Sequence, residues 1–191
     1  MDVSDAGFHK IYKKNKHQGL EILYERYKKY VYTLAYRYAG NKEDALDLTQ
    51  EVFVSIFKSL DNFKEELSIL PWVKRITVNK CLNFVRDRKE ALSLNQNIDD
   101  GLEMQDLIRS PETTESKAQY LDTKQALEAA INKLPPEERM AVILRHMKGM
   151  KYEDIARTMD VPLGTLKTLL HRSRKTIKES MVKDGIWEVY S

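Results

Sequence analysis

The chain is expected to be all-α: two small helical domains joined by a flexible acidic linker. Three observations predict this. Apolar residues recur at helical spacings of three and four through residues 20–88 and again through residues 121–177. Glycine (7) and proline (5) are sparse, and β-branched alternation is rare. Between the two periodic blocks, over residues 91–119, the pattern fades into Asn, Asp, Gln, Ser, Gly101 and Pro111.

Each element has its own signal. Leu20, Leu23, Tyr24, Tyr27, Val31, Leu34, Ala35 and Tyr38 line one helix, and Gly40-Asn41 supplies a stop and a cap. Asn41 with Asp44 starts a second helix carrying Ala45, Leu48, Val52, Ile56 and Leu60, which Asp61-Asn62 breaks. Pro71 suits the first turn of a third, from about Trp72 to Arg88, with Trp72, Val73, Ile76, Leu82 and Val85 as its apolar stripe. Residues 1–90 thus form a domain of three or four helices. The linker, 91–119, holds one short helical turn near Met104–Ile108 and can stretch to roughly 90 Å.

Residues 120–183 form the second domain. Leu121, Ala126, Leu127, Ala130, Ile131 and Leu134 mark a helix that Pro135-Pro136 ends. Glu137-Glu138 opens the next, which holds Met140, Val142, Ile143, Leu144 and Met147 and closes near Gly149. Two short helices follow, broken at Val161-Pro162-Leu163-Gly164. The tail, 184–191, carries Trp187 and Tyr190, expected to pack on this domain.

Composition narrows the function. Net charge is +3, but unevenly spread: residues 1–90 balance to +4, residues 91–119 to −4 and residues 120–191 to +3. Two mildly basic blocks suit phosphate. No apolar run approaches membrane-spanning length, and the N-terminus lacks a signal-peptide pattern. Cys81 is the only cysteine, which excludes an internal disulfide and suits the cytoplasm. No phosphate loop, dinucleotide fingerprint or zinc-protease pattern occurs, and the four histidines lack metal-ligand spacing, so no enzyme, metal or cofactor is expected.

The most informative stretch is Tyr152 to Arg174. Ile155, Ala156 and Met159 give the first helix an apolar face, and Leu166, Leu169, Leu170 and Ile177 give the second one. The opposite face of the second presents Lys167, Thr168, His171, Arg172 and Lys175. This is the pattern of a helix-turn-helix, whose second helix enters the major groove. Pro162 fixes the chain at its start, and Gly164 leaves room for close approach of DNA or the neighbouring helix. Thr165 sits at the helix N-terminus, where free N–H groups favour a phosphate. The competing reading is a plain helical hairpin with a solvated basic face.

The pattern is more specific than that. L-P-P-E-E-R, Y-E-D-I-A and V-P-L-G-T-L-K-T-L-L-H-R-S-R resemble region 4 of bacterial sigma factors, above all the group-four, extracytoplasmic-function (ECF) type of the sigma-70 family. Residues 41–60 resemble region 2.2, and residues 67–87 resemble regions 2.3 and 2.4. The resemblance covers residues 19–90 and 121–180 in the family order. It implies a non-enzymatic partner of core RNA polymerase, docking on the β′ clamp helices and the β flap and directing it to promoter DNA.

The same resemblance assigns residues. Asp47, Gln50, Glu51 and Phe53 would meet the polymerase. Phe63, Lys74, Arg75, Asn79, Lys80 and Asn83 would open and hold the −10 element: a basic track, an aromatic wall and amides four residues apart. Trp72 is read as core before base platform; Lys58, Lys64, Arg86, Arg88 and Lys89 as phosphate contacts or solvated. Thr165, Lys167, Thr168, His171, Arg172 and Lys175 would read the −35 element. An anti-sigma factor is implied as a further partner. Leu169 stands where many relatives have Arg, Leu70-Pro71 replaces a small hydroxylated residue, and His171 occupies a variable position. The rival readings are a stand-alone helix-turn-helix regulator and a helical adaptor.

Overall fold

The computed structural model describes residues 5–64, 67–94 and 114–186, with side chains omitted at Ala6, at Met147 and over residues 85–94 and 114–121. The chain divides into two compact units, Met1–Leu102 and Glu103–Ser191. The expected turn at Met104–Ile108 and the aromatics Trp187 and Tyr190 lie outside the described residues.

Among the described residues, four helices build the first unit: α1 (Asp5–Lys14), α2 (Lys16–Ala39), α3 (Lys42–Ser59) and α4 (Ile69–Leu94). Asn15 separates α1 from α2 and caps α2, its side chain accepting the Gln18 N–H at 3.2 Å. Gly40 ends α2 in the left-handed region (φ 86°), its N–H donating to the Tyr36 carbonyl. Asn41 then caps α3 by accepting the Asp44 N–H at 2.8 Å. A 3-10 turn, Leu60–Asn62, closes α3, and Pro71 is the third residue of α4.

The core of this unit lies among the helices. Leu23, Tyr27, Val31, Val52, Ile56 and Val73 are buried together, and Phe8 and Tyr12 of α1 belong to the same cluster. Tyr24, expected in the stripe, is instead 42% exposed. α1 is the helix that the periodicity left unassigned. It lies so close to α2 that a Cβ at Gly19 would stand 2.7–2.8 Å from Tyr12. Glycine is required there by contact, since any side chain would force the two helices apart.

The second unit holds α5 (Thr114–Asn132), α6 (Pro136–Val142), α7 (Tyr152–Met159) and α8 (Leu163–Lys183). α5 starts six residues ahead of the expected boundary. α6 passes into a single π-helical turn, Ile143–Met147, which gives way at Gly149 (φ 64°). Met140, Ile143, Leu144, Ile155, Leu166 and Leu170 are fully buried, so α8 packs against α5, α6 and α7 alike.

Candidate nucleic-acid interface

The α7–α8 turn is set by backbone geometry. Asp160 ends α7 in the left-handed region (φ 59°, ψ 43°), one of the few non-glycine types that tolerate it. Val161 N–H then donates to the Ala156 carbonyl at 3.0 Å, and Pro162 (φ −57°, ψ 145°) leads into α8. α8 buries Leu166, Leu170 and Ser173, the Ser173 hydroxyl donating to the Leu169 carbonyl at 2.7 Å. That leaves Thr165, Lys167, Thr168, His171, Arg172 and Lys175 exposed on the same helix.

The Thr168 hydroxyl donates to the Gly164 carbonyl at 3.1 Å, and its oxygen can still accept a bond. Lys175 stands 3.8 Å from Glu179, a loose exposed pair. Leu169 and Ile177 are half-buried, at the margin of the packed face. Gly164 corrects one expectation: nothing lies within 4 Å of its Cβ direction, so helix packing does not require glycine there.

Three residues with no role in the expected site tie the π-helical turn and the start of α7 to α8. The Tyr152 ring lies under the Arg145 guanidinium at 5.0 Å, and its hydroxyl accepts from Arg174 at 2.8 Å. Arg145 also donates to the Met150 carbonyl at 3.0 Å. His146, beside them, has its pKa lowered by desolvation, then by Arg174 and Arg145. The only local signal was tyrosine at the first position of α7.

α4 carries a second outward stripe. Val73, Thr77, Val78 and Cys81 face the core. Arg75, Asn79 and Asn83, each four residues apart, are exposed in one row. Lys74 and Lys80 flank it, half-buried, with the Lys74 ammonium 5.9 Å from the centre of the Tyr30 ring. Phe63 lies in the connection as expected, but packed between rings: His9 stacks on it at 5.6 Å and Trp72 meets it at 4.5 Å. Trp72 is half-buried against the core. Lys58 and Lys64 are exposed; the side chains of Arg86, Arg88 and Lys89 lie outside the described residues.

On α3, Asp47, Gln50 and Glu51 are exposed and line an open groove with Val54 and Lys58. Phe53 must be corrected. It is 4% exposed and packs on Tyr24 (4.8 Å) and Phe57 (5.8 Å), because α3 is covered by both α2 and α4 and buries a face wider than one row. Among the described residues, no group of three or more His, Cys, Asp or Glu is placed to hold a metal ion. Nor is any helix among them long and apolar enough to cross a membrane.

Comparison with known proteins follows the same two blocks. Residues 23–91 match the family model for Sigma-70 region 2, and residues 124–177 match that for Sigma-70, region 4. The chain belongs to the sigma-70 family, in its ECF group. A sigma factor is a DNA-binding initiation factor rather than an enzyme. The ECF RNA polymerase sigma factor SigE of Mycolicibacterium smegmatis is 38% identical over 160 residues, covering 80% of this sigma factor and 58% of that protein. SigW of Bacillus subtilis is 26% identical over 172 residues, 88% and 92% of the two chains. The Escherichia coli sigma-E factor is 29% identical over 167 residues, 86% and 87%.

Solved structures share the fold. The sigma factor RpoE of Bartonella quintana, solved in complex with the anti-sigma factor NepR, superposes with a TM-score of 0.63 at 19% identity, covering 84% of this sigma factor and 95% of that chain. CnrH, solved with the cytosolic domain of CnrY, gives 0.62 at 18%, covering 94% and 98%.

Proposed function

We propose that this sigma factor binds core RNA polymerase and directs it to promoters by reading two DNA elements. The observation that carries this is the pair of outward stripes, one on each unit: Thr165 to Lys175 on α8, and Arg75, Asn79 and Asn83 on α4. α8 suits duplex. Its N-terminal residues follow a helix-turn-helix break, where free N–H groups favour a phosphate and Lys167, Thr168, His171 and Arg172 reach base edges or phosphates of a −35 element. α4 suits single strands. Arg75, with Lys74 and Lys80, supplies the backbone track, and Asn79 and Asn83 can read an extruded −10 base by its edge.

The polymerase contact falls to α3. Asp47, Gln50 and Glu51 are exposed beside Leu46 (44%) and Val54 (48%), an apolar pair flanked by acids that fits a docking patch for the β′ clamp helices. The second unit would meet the β flap. An anti-sigma factor covering these faces would hold the free protein inactive, and the site of action would be the cytoplasm.

Transcription in vitro tests the reading. The purified chain with core polymerase should start transcripts at defined promoters without a housekeeping sigma factor. No binding to core polymerase would sink it.

A further inference from the structure

α1 belongs to neither stripe, yet it reaches both ends of the α3–α4 connection. Asp5 Oδ2 accepts the N–H of Ile69, the first residue of α4, at 3.1 Å. Its other oxygen accepts from Arg26 of α2, also at 3.1 Å. The first N–H groups of a helix need an acceptor, ordinarily supplied by the residue just before it. Here it comes from 64 residues away.

Two more contacts grip the other end. The Tyr12 hydroxyl donates to Asp61 Oδ1 at 2.7 Å, and Lys16 donates to both Asp61 oxygens at 2.8 and 2.9 Å. These bonds hold the Asp61 carboxyl below its ordinary pKa, Lys16 first and Tyr12 second. The His9 ring stacks on Phe63 with planes 13° apart. Phe63 carries the contact on to Trp72. Phe8, His9 and Tyr12 are 1%, 6% and 9% exposed, so α1 is seated in the unit and not merely laid on it.

We infer that α1 is a positioning element for −10 recognition, with Asp5, His9 and Tyr12 fixing the two ends of the connection through which the chain enters α4. The inference rests on the −10 reading above. A strand-reading helix discriminates bases only if its first turn and the side chains before it are already in place, because freedom left there is lost on binding. Among its described residues the connection bonds to itself through Phe63 N–H to the Leu60 carbonyl and Leu67 N–H to the Lys64 carbonyl, both 3.1 Å. α1 adds its own contacts to Asp61, Phe63 and Ile69 on either side of it.

The test uses holoenzyme assembled from the full chain and core polymerase. A labelled single strand, on the order of 12 nucleotides, is first selected on wild-type holoenzyme from a randomised pool. The readout is the ratio of its affinity to that of strands altered one base at a time. Asp5→Ala and Asp61→Ala should each lower this ratio about fivefold, while core affinity and duplex binding by the second unit stay unchanged. Asp5→Asn, which keeps one acceptor for Ile69, should recover part of the loss. Asp61 is exposed, so its variant folds even if the Asp5 variant does not. Partial unfolding would lower the active fraction and leave the ratio intact. An unchanged ratio in both variants overturns the inference and leaves the −10 reading standing. If wild-type holoenzyme selects no preferred strand, the −10 reading falls and the inference with it.

Discussion

Glu51 of α3 and Lys80 of α4 form an ion pair at 3.6 Å, so the acidic face that fits polymerase is bonded to the helix that fits the promoter strand. The two side chains are 57% and 35% exposed. Such pairs contribute about 0–1 kcal/mol. Glu51→Gln and Lys80→Gln should therefore each move Tm by less than about 5 °C in thermal melts. Function should separate them. Glu51→Gln should weaken core binding in a titration, whereas Lys80→Gln should spare core binding and weaken −10 strand binding.

Arg172 and Lys167 are both exposed on α8, but the two ask different questions of the duplex. Arg172→Ala should cost about 1–3 kcal/mol on the preferred −35 sequence and little on an altered one, if the guanidinium reads a guanine. Lys167→Ala should weaken all sequences alike and reduce the salt slope by about one, if the ammonium meets phosphate. Fluorescence anisotropy across a salt series distinguishes the two. Core binding should be unaffected by either.

Cys81 is fully buried, and burial pushes its thiol up to about 12, so it stays protonated at neutral pH. A maleimide reagent should not label the native chain and should label it fully in denaturant. Native labelling as fast as that of a free thiol would contradict the seating of α4.

His146 gives a pH signature. Its pKa lies below the ordinary 6.5, through desolvation first and then Arg174 and Arg145. The fold therefore favours neutral imidazole. Its contribution to stability is complete above the unfolded value and lost as pH falls through the lower folded one. The melting temperature of the second unit should drop as pH falls below about 6.5, and His146→Gln should flatten that part of the profile.

Much of this was legible from spacing alone. The α8 face and the Arg75–Asn79–Asn83 row are properties of one helix, and a helix's period is written in its own residues. Asn41 capping α3 is equally local. What escaped depends on residues far apart. α1 has few apolar positions among its lysines, and its bonds to Ile69 and Asp61 span 64 and 49 residues. Phe53 reached the polymerase face through the family resemblance and not through spacing; helices on two sides of α3 bury it beside Val52. Tyr152, bridging Arg145 and Arg174, likewise has no signal until the turn is closed.

Gly19 touches neither stripe nor the polymerase-facing groove, yet a Cβ there would press on the Tyr12 backbone at 2.8 Å and lift α1 from its seat. A genetic screen for relaxed promoter choice should then return Gly19 substitutions alongside changes in α4. Such alleles would look like altered recognition in a reporter assay while leaving every base-contacting side chain as it was.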